Sequence, residues 1–366
     1  MNIYNHIKNY SEIIIFNFFK VILPKSRPLR GKLLLINTGE IGDLIVSSVI
    51  LENEEVLQHY SKIYFIIKNQ YLGLFDRYVG KIEFIGYNYK KYKYSIIYKY
   101  KFLSLLRREG FQTTIQLTAA RGILNEEMVH LSGAKERSVI NSFWEYLDNH
   151  LGRYFDNKYD RIIAKDVMNE YVKHFELIKY LRKDNDKEII FNKGLTFNEE
   201  EFIKKEDYIV IAPFTSLMNR DWKKEYFSVL IKILAQKYDI KLLGSQNQKK
   251  DLEKLTSRDK NIQIFAGTVS LNEIPNVIAK SKLFIGLDSG LTHIALKVGA
   301  PIVALIGGGE FGRFFPYRES DKVKYLYHKT DCFLCHWECS KSEMFCMTDI
   351  TPQLLINEVE KILFKI

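Results

Sequence analysis

No apolar run in this sequence is long enough to span a bilayer, no nucleic-acid-binding signature is visible, and cysteine is scarce. The apolar stretch near the start, Ile13–Leu23 (IIIFNFFKVIL), is broken by Asn17 and Lys20 and falls well short of the roughly 20 residues that a membrane-crossing helix needs. No small-residue cleavage site follows a clean apolar core, so a signal peptide is not expected. Neither an RNP strand nor a zinc-finger spacing accompanies the positive charge, so no nucleic-acid partner is expected. Cysteine occurs only four times in 366 residues.

The remaining composition, 46% apolar and 27% charged, is that of a globular chain without a disordered tail. Its length suits two α/β domains better than one. A net charge of +10 favours polyanions such as an anionic lipid surface or a phosphorylated glycan. The basic residues are scattered through the helices and the stretch Tyr87–Lys101, which reads as a generally basic surface. The segment 1–30 is amphipathic and then basic (KSRPLRGK). It is either a helix packed on the protein itself, the favoured reading, or a segment resting on an anionic membrane face.

Short apolar runs alternate with helix-length segments, the pattern of parallel sheets covered by helices. Expected strands are Lys32–Thr38, Lys62–Lys68, Lys81–Tyr87, Thr113–Thr118 and Arg137–Ile140, with a helix over Val167–Leu181. After a charged stretch the alternation restarts with Tyr208–Phe214, Ile240–Gly244, Ile262–Ala266, Leu283–Asp288, Pro301–Gly307 and Val323–Tyr327. The fold class is therefore α/β, with two doubly wound, Rossmann-like domains facing a cleft. The first domain covers 1–185, a linker 186–207 and the second domain 208–345, with a C-terminal helix in 346–366.

The candidate motifs sit at carboxyl ends of strands, where open α/β sheets bind ligands. Asp288-Ser289-Gly290 joins an apolar strand to a helix, and free N–H groups plus the helix dipole favour a phosphate there. The turn Gly39-Glu40-Ile41-Gly42-Asp43 repeats this logic in the first domain. The loop Thr215–Trp222 offers the hydroxyls of Thr215 and Ser216 and the guanidinium of Arg220, suited to a diphosphate. Arg220 is as readily a surface arginine from this loop alone. Asp184-Asn185-Asp186 imitates a metal-binding D-x-D pattern, but no apolar strand ends at it, and it reads as a solvated turn.

Together, Thr38-Gly39-Glu40-Ile41-Gly42-Asp43, Thr215–Trp222, Gly286–Leu291 with His293, and Gly307–Tyr317 with Arg313, Pro316 and Tyr317 resemble family 9 glycosyltransferases, the heptosyltransferases of lipopolysaccharide core synthesis. The resemblance runs from residue 32 to residue 360 and implies the GT-B fold. It further implies an inverting, metal-independent transfer of a heptose-like sugar from a nucleotide diphosphate, ADP foremost, to a lipid-linked, phosphorylated glycan. Such an enzyme is cytoplasmic, at the inner face of the cytoplasmic membrane.

By the same resemblance Asp43 is the catalytic base, with Glu40 the competing carboxylate and Thr38, Gly39 and Gly42 completing the acceptor-side turn. Asp43 can also cap the following helix. Thr215, Ser216, Arg220, Asp288, Ser289, Gly290 and His293 correspond to the donor site, and Gln246 stands where relatives often place an acidic residue against the ribose. A lone histidine such as His293 is otherwise commonly structural. Two departures bear on the sugar: Phe214 narrows the space near the donor, and Gly307-Gly308-Gly309 loosens the opposite wall. Other readings are the same fold with another sugar nucleotide or a protein acceptor, a nucleotide-sugar epimerase, and a non-catalytic sugar-nucleotide-binding subunit.

The cysteines cluster as Cys332-x2-Cys335-x3-Cys339-x6-Cys346. Without a secretory signal, four clustered thiols read as a tetrathiolate site for structural zinc or iron rather than two disulfides. Four thiolates leave no open position for catalysis. The remaining reading is four free, partly buried thiols.

Overall fold

β-Branched and leucine-rich runs such as KLLLI, YIVIA and LFIGL have no polar alternation, so they must be covered on both faces, as parallel strands are. The computed structural model describes all residues except 1–2, 145–148, 183–187, 190, 192–204, 217–219, 257–259 and 366. It divides into two units, Met1–Gly194 and Leu195–Ile366. The Asp184-Asn185-Asp186 turn and most of the expected linker lie outside the described residues.

In the first unit six strands form one parallel sheet: β1 (Lys32–Ile36), β2 (Lys62–Lys68), β3 (Glu83–Tyr87), β4 (Thr113–Gln116), β5 (Glu136–Ile140) and β6 (Arg161–Ile163), in the order β3-β2-β1-β4-β5-β6. Leu33 of β1 is in register with Ile63 on one side and Thr113 on the other. The second unit repeats this with β7 (Tyr208–Ala212), β8 (Asp239–Leu242), β9 (Ile262–Ile264), β10 (Leu283–Leu287), β11 (Ile302–Leu305) and β12 (Val323–Leu326), in the order β9-β8-β7-β10-β11-β12. Both sheets are doubly wound, as expected. β6 was not foreseen, because a three-residue edge strand carries too little pattern. The helix expected over Val167–Leu181 forms as Glu170–Arg182.

Each sheet has its own core. Helix Pro352–Lys365 closes that of the second unit with Leu355, Ile356, Val359 and Ile362. In the first unit the N-terminal helix Ile3–Ile22 packs Phe16 and Phe19, followed by Leu23, into the core. Phe16 meets Phe155 edge-on at 5.4 Å. The favoured packed reading of this segment describes one face of the helix; Ile14, Phe18 and Val21 remain exposed.

Helix Ile123–Leu131 lies under this segment and buries two consecutive acids, Glu126 and Glu127. Buried charges need partners, and both have them. Arg121 Nε donates to Glu126 Oε1 at 2.8 Å and its Nη1 to Asp156 Oδ1 at 2.7 Å. Tyr159 donates to Glu126 at 2.9 Å, and Lys99 Nζ reaches Glu127 at 2.6 Å. Removing one partner of a buried pair strands the other charge, at a cost of roughly 3–5 kcal/mol. Lys99→Met is expected to lower stability by about that amount in urea unfolding, and the double variant Lys99→Met with Glu127→Leu to regain most of it.

Candidate functional site

Both doubly wound sheets have a switch point where the first and fourth strands lie side by side and their connections leave in opposite directions. The candidate motifs occupy the carboxyl ends of these strands. In the first unit the chain leaves β1 through Asn37-Thr38-Gly39 and enters helix Ile41–Ser47, with Glu40 at its N-cap. Asp43 sits in the first turn rather than before it, as the expectation of a helix from Leu44 had it. Its Oδ2 accepts the Glu40 N–H at 3.2 Å, completing a capping box. Its side chain folds so close to Gly39 that a Cβ there would meet Asp43 Oδ2 at 2.6 Å, which is why this turn requires glycine.

The two carboxylates of the turn differ. Glu40 is held by Lys68 Nζ and by Tyr71 Oη at 2.6 Å. Burial pushes its carboxyl up, but these bonds and the Lys68 charge more than offset that and keep it below the usual range. Glu40 is thus a committed ion-pair partner and a weak base. Three residues that sequence reasoning did not single out fix the turn. Asn37 Nδ2 donates to Ser47 Oγ at 2.8 Å and to the Asp43 carbonyl at 3.1 Å. Thr118, beyond β4, accepts the Thr38 N–H at 3.0 Å, and Asn125 Nδ2 donates to the hydroxyls of both Thr118 and Thr38. The signal was available only in space, since Thr38 and Thr118 stand eighty positions apart.

In the second unit β7 runs into Thr215, whose N–H and hydroxyl both donate to Asp221 Oδ1, at 2.7 and 2.9 Å. The Gln248 amide donates to its carbonyl at 2.9 Å. Burial pushes the Asp221 carboxyl up, against these two bonds. Asp221 therefore shapes the loop, while Ser216 is exposed and Arg220 half-buried. β10 ends at Asp288, and Ser289 caps helix Gly290–Lys297, its carbonyl accepting Thr292 N–H at 3.1 Å and His293 N–H at 3.3 Å. The Ser289 hydroxyl is buried without a partner, as is Arg220 Nε. Polar atoms left unpaired beside a helix N-terminus are poised for a ligand's acceptors.

Burial pushes the Asp288 carboxyl up to about 6, and Glu310 adds to this, while Arg220 and Arg313 pull the other way. Arg313 Nη1 donates to Glu310 Oε2 at 2.6 Å. The turn thus assembles two cations and two acids around the Ser289 cap. His293 follows in the first turn of the same helix. It is buried with its ring 4.5 Å from Phe315 and 5.2 Å from Phe314, and burial drives its imidazole down to about 3, so it is neutral. Gln246 is exposed, with its amide against Gly267.

Phe214, expected to narrow the space near the donor, belongs to the apolar core of the second unit. The Gly307-Gly308-Gly309 run, expected to loosen the opposite wall, is filled instead. A Cβ on Gly307 would meet Trp337 at 2.6 Å, Gly309 is closer still, and Gly308 faces Phe333. The Leu334 and His336 N–H groups donate to the carbonyls of Gly308 and Gly309, at 2.8 and 2.9 Å. Trp337 then carries the Arg220 guanidinium over its ring at 4.7 Å, a cation–π platform. Leu334, His336 and Trp337 all have positive φ, 67°, 51° and 65°, a strain that persists only where surroundings over-determine it.

Trp337 belongs to the cysteine loop. Cys332, Cys335, Cys339 and Cys346 are free and line one cavity of about 10 Å³ with Gly308, Gly309 and Trp337. Cys346 is the buried member. Burial pushes its thiol up, the Gly308 backbone N–H points to its sulfur, and the other three cysteines add to the rise. Among the described residues no group of three or more His, Cys, Asp or Glu side chains is arranged to hold a metal ion. The thiols therefore share a cavity without converging on a common centre.

The sequence profile of glycosyltransferase family 9 (heptosyltransferase) matches residues 157–341. Lipooligosaccharide heptosyltransferase 2 of Campylobacter jejuni is 19% identical over 88% of this chain and 95% of its own length. The chain covers only 32% and 46% of two further curated heptosyltransferases. The crystal structure of Escherichia coli heptosyltransferase WaaC with ADP-2-deoxy-2-fluoro heptose superposes with a TM-score of 0.65 at 15% identity, over 90% of this chain and 99% of that one. The iron-containing dodecameric glycosyltransferase TibC of enterotoxigenic E. coli gives 0.55 at 13% identity, over 94% and 78%. Both sheets thus belong to the GT-B fold.

The Asp288 environment makes a pH prediction. A carboxyl whose folded pKa lies above its unfolded value favours the folded state while protonated, and that contribution is lost as pH rises from about 4 through about 6. Asp288→Asn removes the penalty above that window. Its midpoint in thermal unfolding, relative to the parent chain, is expected to be higher at pH 7.5 than at pH 4.

Proposed function

The chain belongs to glycosyltransferase family 9, and from that premise we propose that it transfers a heptose-like sugar from ADP-heptose to a phosphorylated, lipid-linked glycan of the lipopolysaccharide-core type, with inversion at the anomeric carbon. The observation that carries this reading is the pair of unpartnered polar atoms at the second switch point. The buried Ser289 hydroxyl and Arg220 Nε, both without partners, flank a helix N-terminus at the end of β10. A diphosphate supplies acceptors for both.

The chemistry assigned to the residues is as follows. The second unit holds the donor, with Thr215, Ser216, Arg220, Ser289 and the Gly290 N–H at the diphosphate and Asp288 at the sugar. Gln246 contacts the ribose as a neutral hydrogen-bonding group. As the bond from the anomeric carbon to the diphosphate oxygen breaks, charge grows on the leaving group, and Arg220 and the helix dipole stabilise it. The acceptor oxygen attacks that carbon from the opposite face, and its proton passes to Asp43. Thr38, Gly39 and Gly42 shape the acceptor side. Glu40 is the poorer base, because Lys68 and Tyr71 already satisfy it. No catalytic metal enters this scheme, since the cations facing the diphosphate are protein side chains. His293 supports the site by packing against Phe314 and Phe315 rather than by contact with the donor.

The four cysteines are assigned a structural zinc or iron. Four thiolates suit either ion and a relative of the same fold is iron-containing; the thiols, which share one cavity, would have to draw together around the ion. The ion would lock the loop that presents Trp337. The reaction is assigned to the cytoplasm, at the inner face of the cytoplasmic membrane.

Asp43→Ala is expected to reduce transfer by at least about a hundredfold, in line with the loss of a general base, while isothermal titration of ADP-heptose stays near the parent value. Normal turnover in that variant would sink the base assignment. ADP-heptose, but not UDP-, GDP- or CDP-sugars, should raise the melting temperature, and Ser289→Ala and Arg220→Ala should each abolish the shift. Elemental analysis of purified protein should give one zinc or iron per chain, lost in Cys335→Ser; a metal-free, fully active preparation would reject the structural ion.

A further inference from the structure

Two consecutive residues of the cysteine loop meet charged groups around the Ser289 cap. His336 Nδ1 lies 3.9 Å from Glu310 Oε1, and the Trp337 ring lies against the Arg220 guanidinium, 4.7 Å from centroid to carbon. All four residues belong to the second unit. The loop thus reaches an acid and a cation of the same turn from outside the sheet.

The chain carries several burdens to keep an indole in this place. Leu334, His336 and Trp337 hold left-handed backbone without being glycine. Positions 307 and 309 have to be bare, since a Cβ on either would meet the indole, at 2.6 and 2.4 Å. The Trp337 Nε1–H is buried without a partner, although a buried donor ordinarily finds one. Backbone strain persists where the surroundings over-determine it, and it concentrates at ligand clamps. Packing against glycine backbone does not account for the choice of residue, because leucine or phenylalanine would fill apolar space without burying an unpaired N–H. What tryptophan adds is the negative face of its ring, the strongest aromatic partner for a cation, and the cation over that face is Arg220. A guanidinium held on a ring keeps the N–H groups of its edge for an acceptor, and a side chain already restricted loses less rotamer freedom when a ligand arrives.

We propose that Trp337 is the positioning residue for Arg220, setting the guanidinium for the donor diphosphate, and that the cysteine loop is through this residue a working part of the donor site. The inference rests on the donor-site reading above and deepens it. Trp337 acts on the sugar nucleotide only through Arg220, so its contribution vanishes when Arg220 is absent. The loop therefore affects donor binding without supplying a ligand-contacting group of its own.

The test uses fluorinated tryptophans inserted at position 337 of the full chain, which keep the shape of the ring while draining charge from its face. With increasing fluorination the Kd of ADP-heptose in isothermal titration should rise stepwise, to about tenfold in all, with the far-ultraviolet circular dichroism unchanged. Trp337→Phe, which retains a weaker face, should fall within the same range. In transfer assays the KM for the donor should rise while the KM for the acceptor stays at the parent value. In an Arg220→Ala chain, whose residual turnover is followed as kcat/KM for the donor, fluorination at 337 should have no further effect. A flat response to fluorine would overturn the proposal, and so would an equal loss with and without Arg220, since Trp337 would then serve packing alone. A parent chain that binds no ADP-heptose would overturn the donor-site reading and this inference with it. Normal binding and transfer that ignore the fluorine series would overturn this inference alone.

Discussion

Parallel pairing throughout both sheets forces every return connection across a sheet face. At the boundary between β1 and β4, and again between β7 and β10, those connections leave to opposite sides, so the chain itself opens a groove at the carboxyl ends of these strands. Everything chemically specific described above depends on that constraint. The Asp43 turn and Thr118 follow one such pair of strands, and the Thr215 loop and the Ser289 cap follow the other. No side chain has to be carried far from the sheet, and the helices that begin there point their free N–H groups and their dipoles at the groove. Anion binding is thus a property of the topology, and the side chains refine it.

The refinement in the second unit is a balance of charge under partial burial. Arg220 and Arg313 face Asp288 and Glu310 at the same turn. Without an anionic ligand, burial dominates, which is why Asp288 rises toward neutrality despite two nearby guanidinium groups. A diphosphate would change the sign of the local problem by giving Arg220 a stronger partner than Asp288. Trp337 matters in this balance because it supports the guanidinium from its face and leaves the N–H edge for an acceptor, a division of labour that a carboxylate partner would not allow.

What was legible in the sequence follows from how local the cause is. Gly39, Ser289 and Gly290 lie within a few residues of the turns that need them, so their places in those turns could be read from spacing, whereas Asp43, read as the cap of the following helix, lies in its first turn, with Glu40 as the cap. The strands with continuous apolar runs were equally plain, whereas β6, three residues at a sheet edge, was not. Failures came where the partner is remote. Thr38 and Thr118 meet only because β1 and β4 pair. The glycine run at 307–309 looked like empty space, since its occupant, Trp337, is nearly thirty positions away and is held there by a loop with left-handed residues. The N-terminal helix was read as packed on the protein or resting on a membrane face, and the structure bears out packing for one of its two apolar faces.

The cysteine loop also shows why a structural element far from the chemistry can control it. The contacts Leu334–Gly308 and His336–Gly309 are backbone hydrogen bonds, so they fix the position of the loop but not the conformation of its side chains. Three left-handed residues without glycine each cost on the order of 1–3 kcal/mol, and two backbone bonds worth about 1 kcal/mol each do not offset that. Something else must hold the loop, and the candidates on its inner side are the Trp337 and Phe333 rings against the glycines and the four sulfurs around their small cavity. If the sulfurs supply most of it, then the platform under Arg220, and with it the strength of anion binding, is set by the state of the thiols rather than by the sheet. The glycine run would then be required at 307–309 because only bare backbone lets the loop approach closely enough for both sets of contacts to form at once.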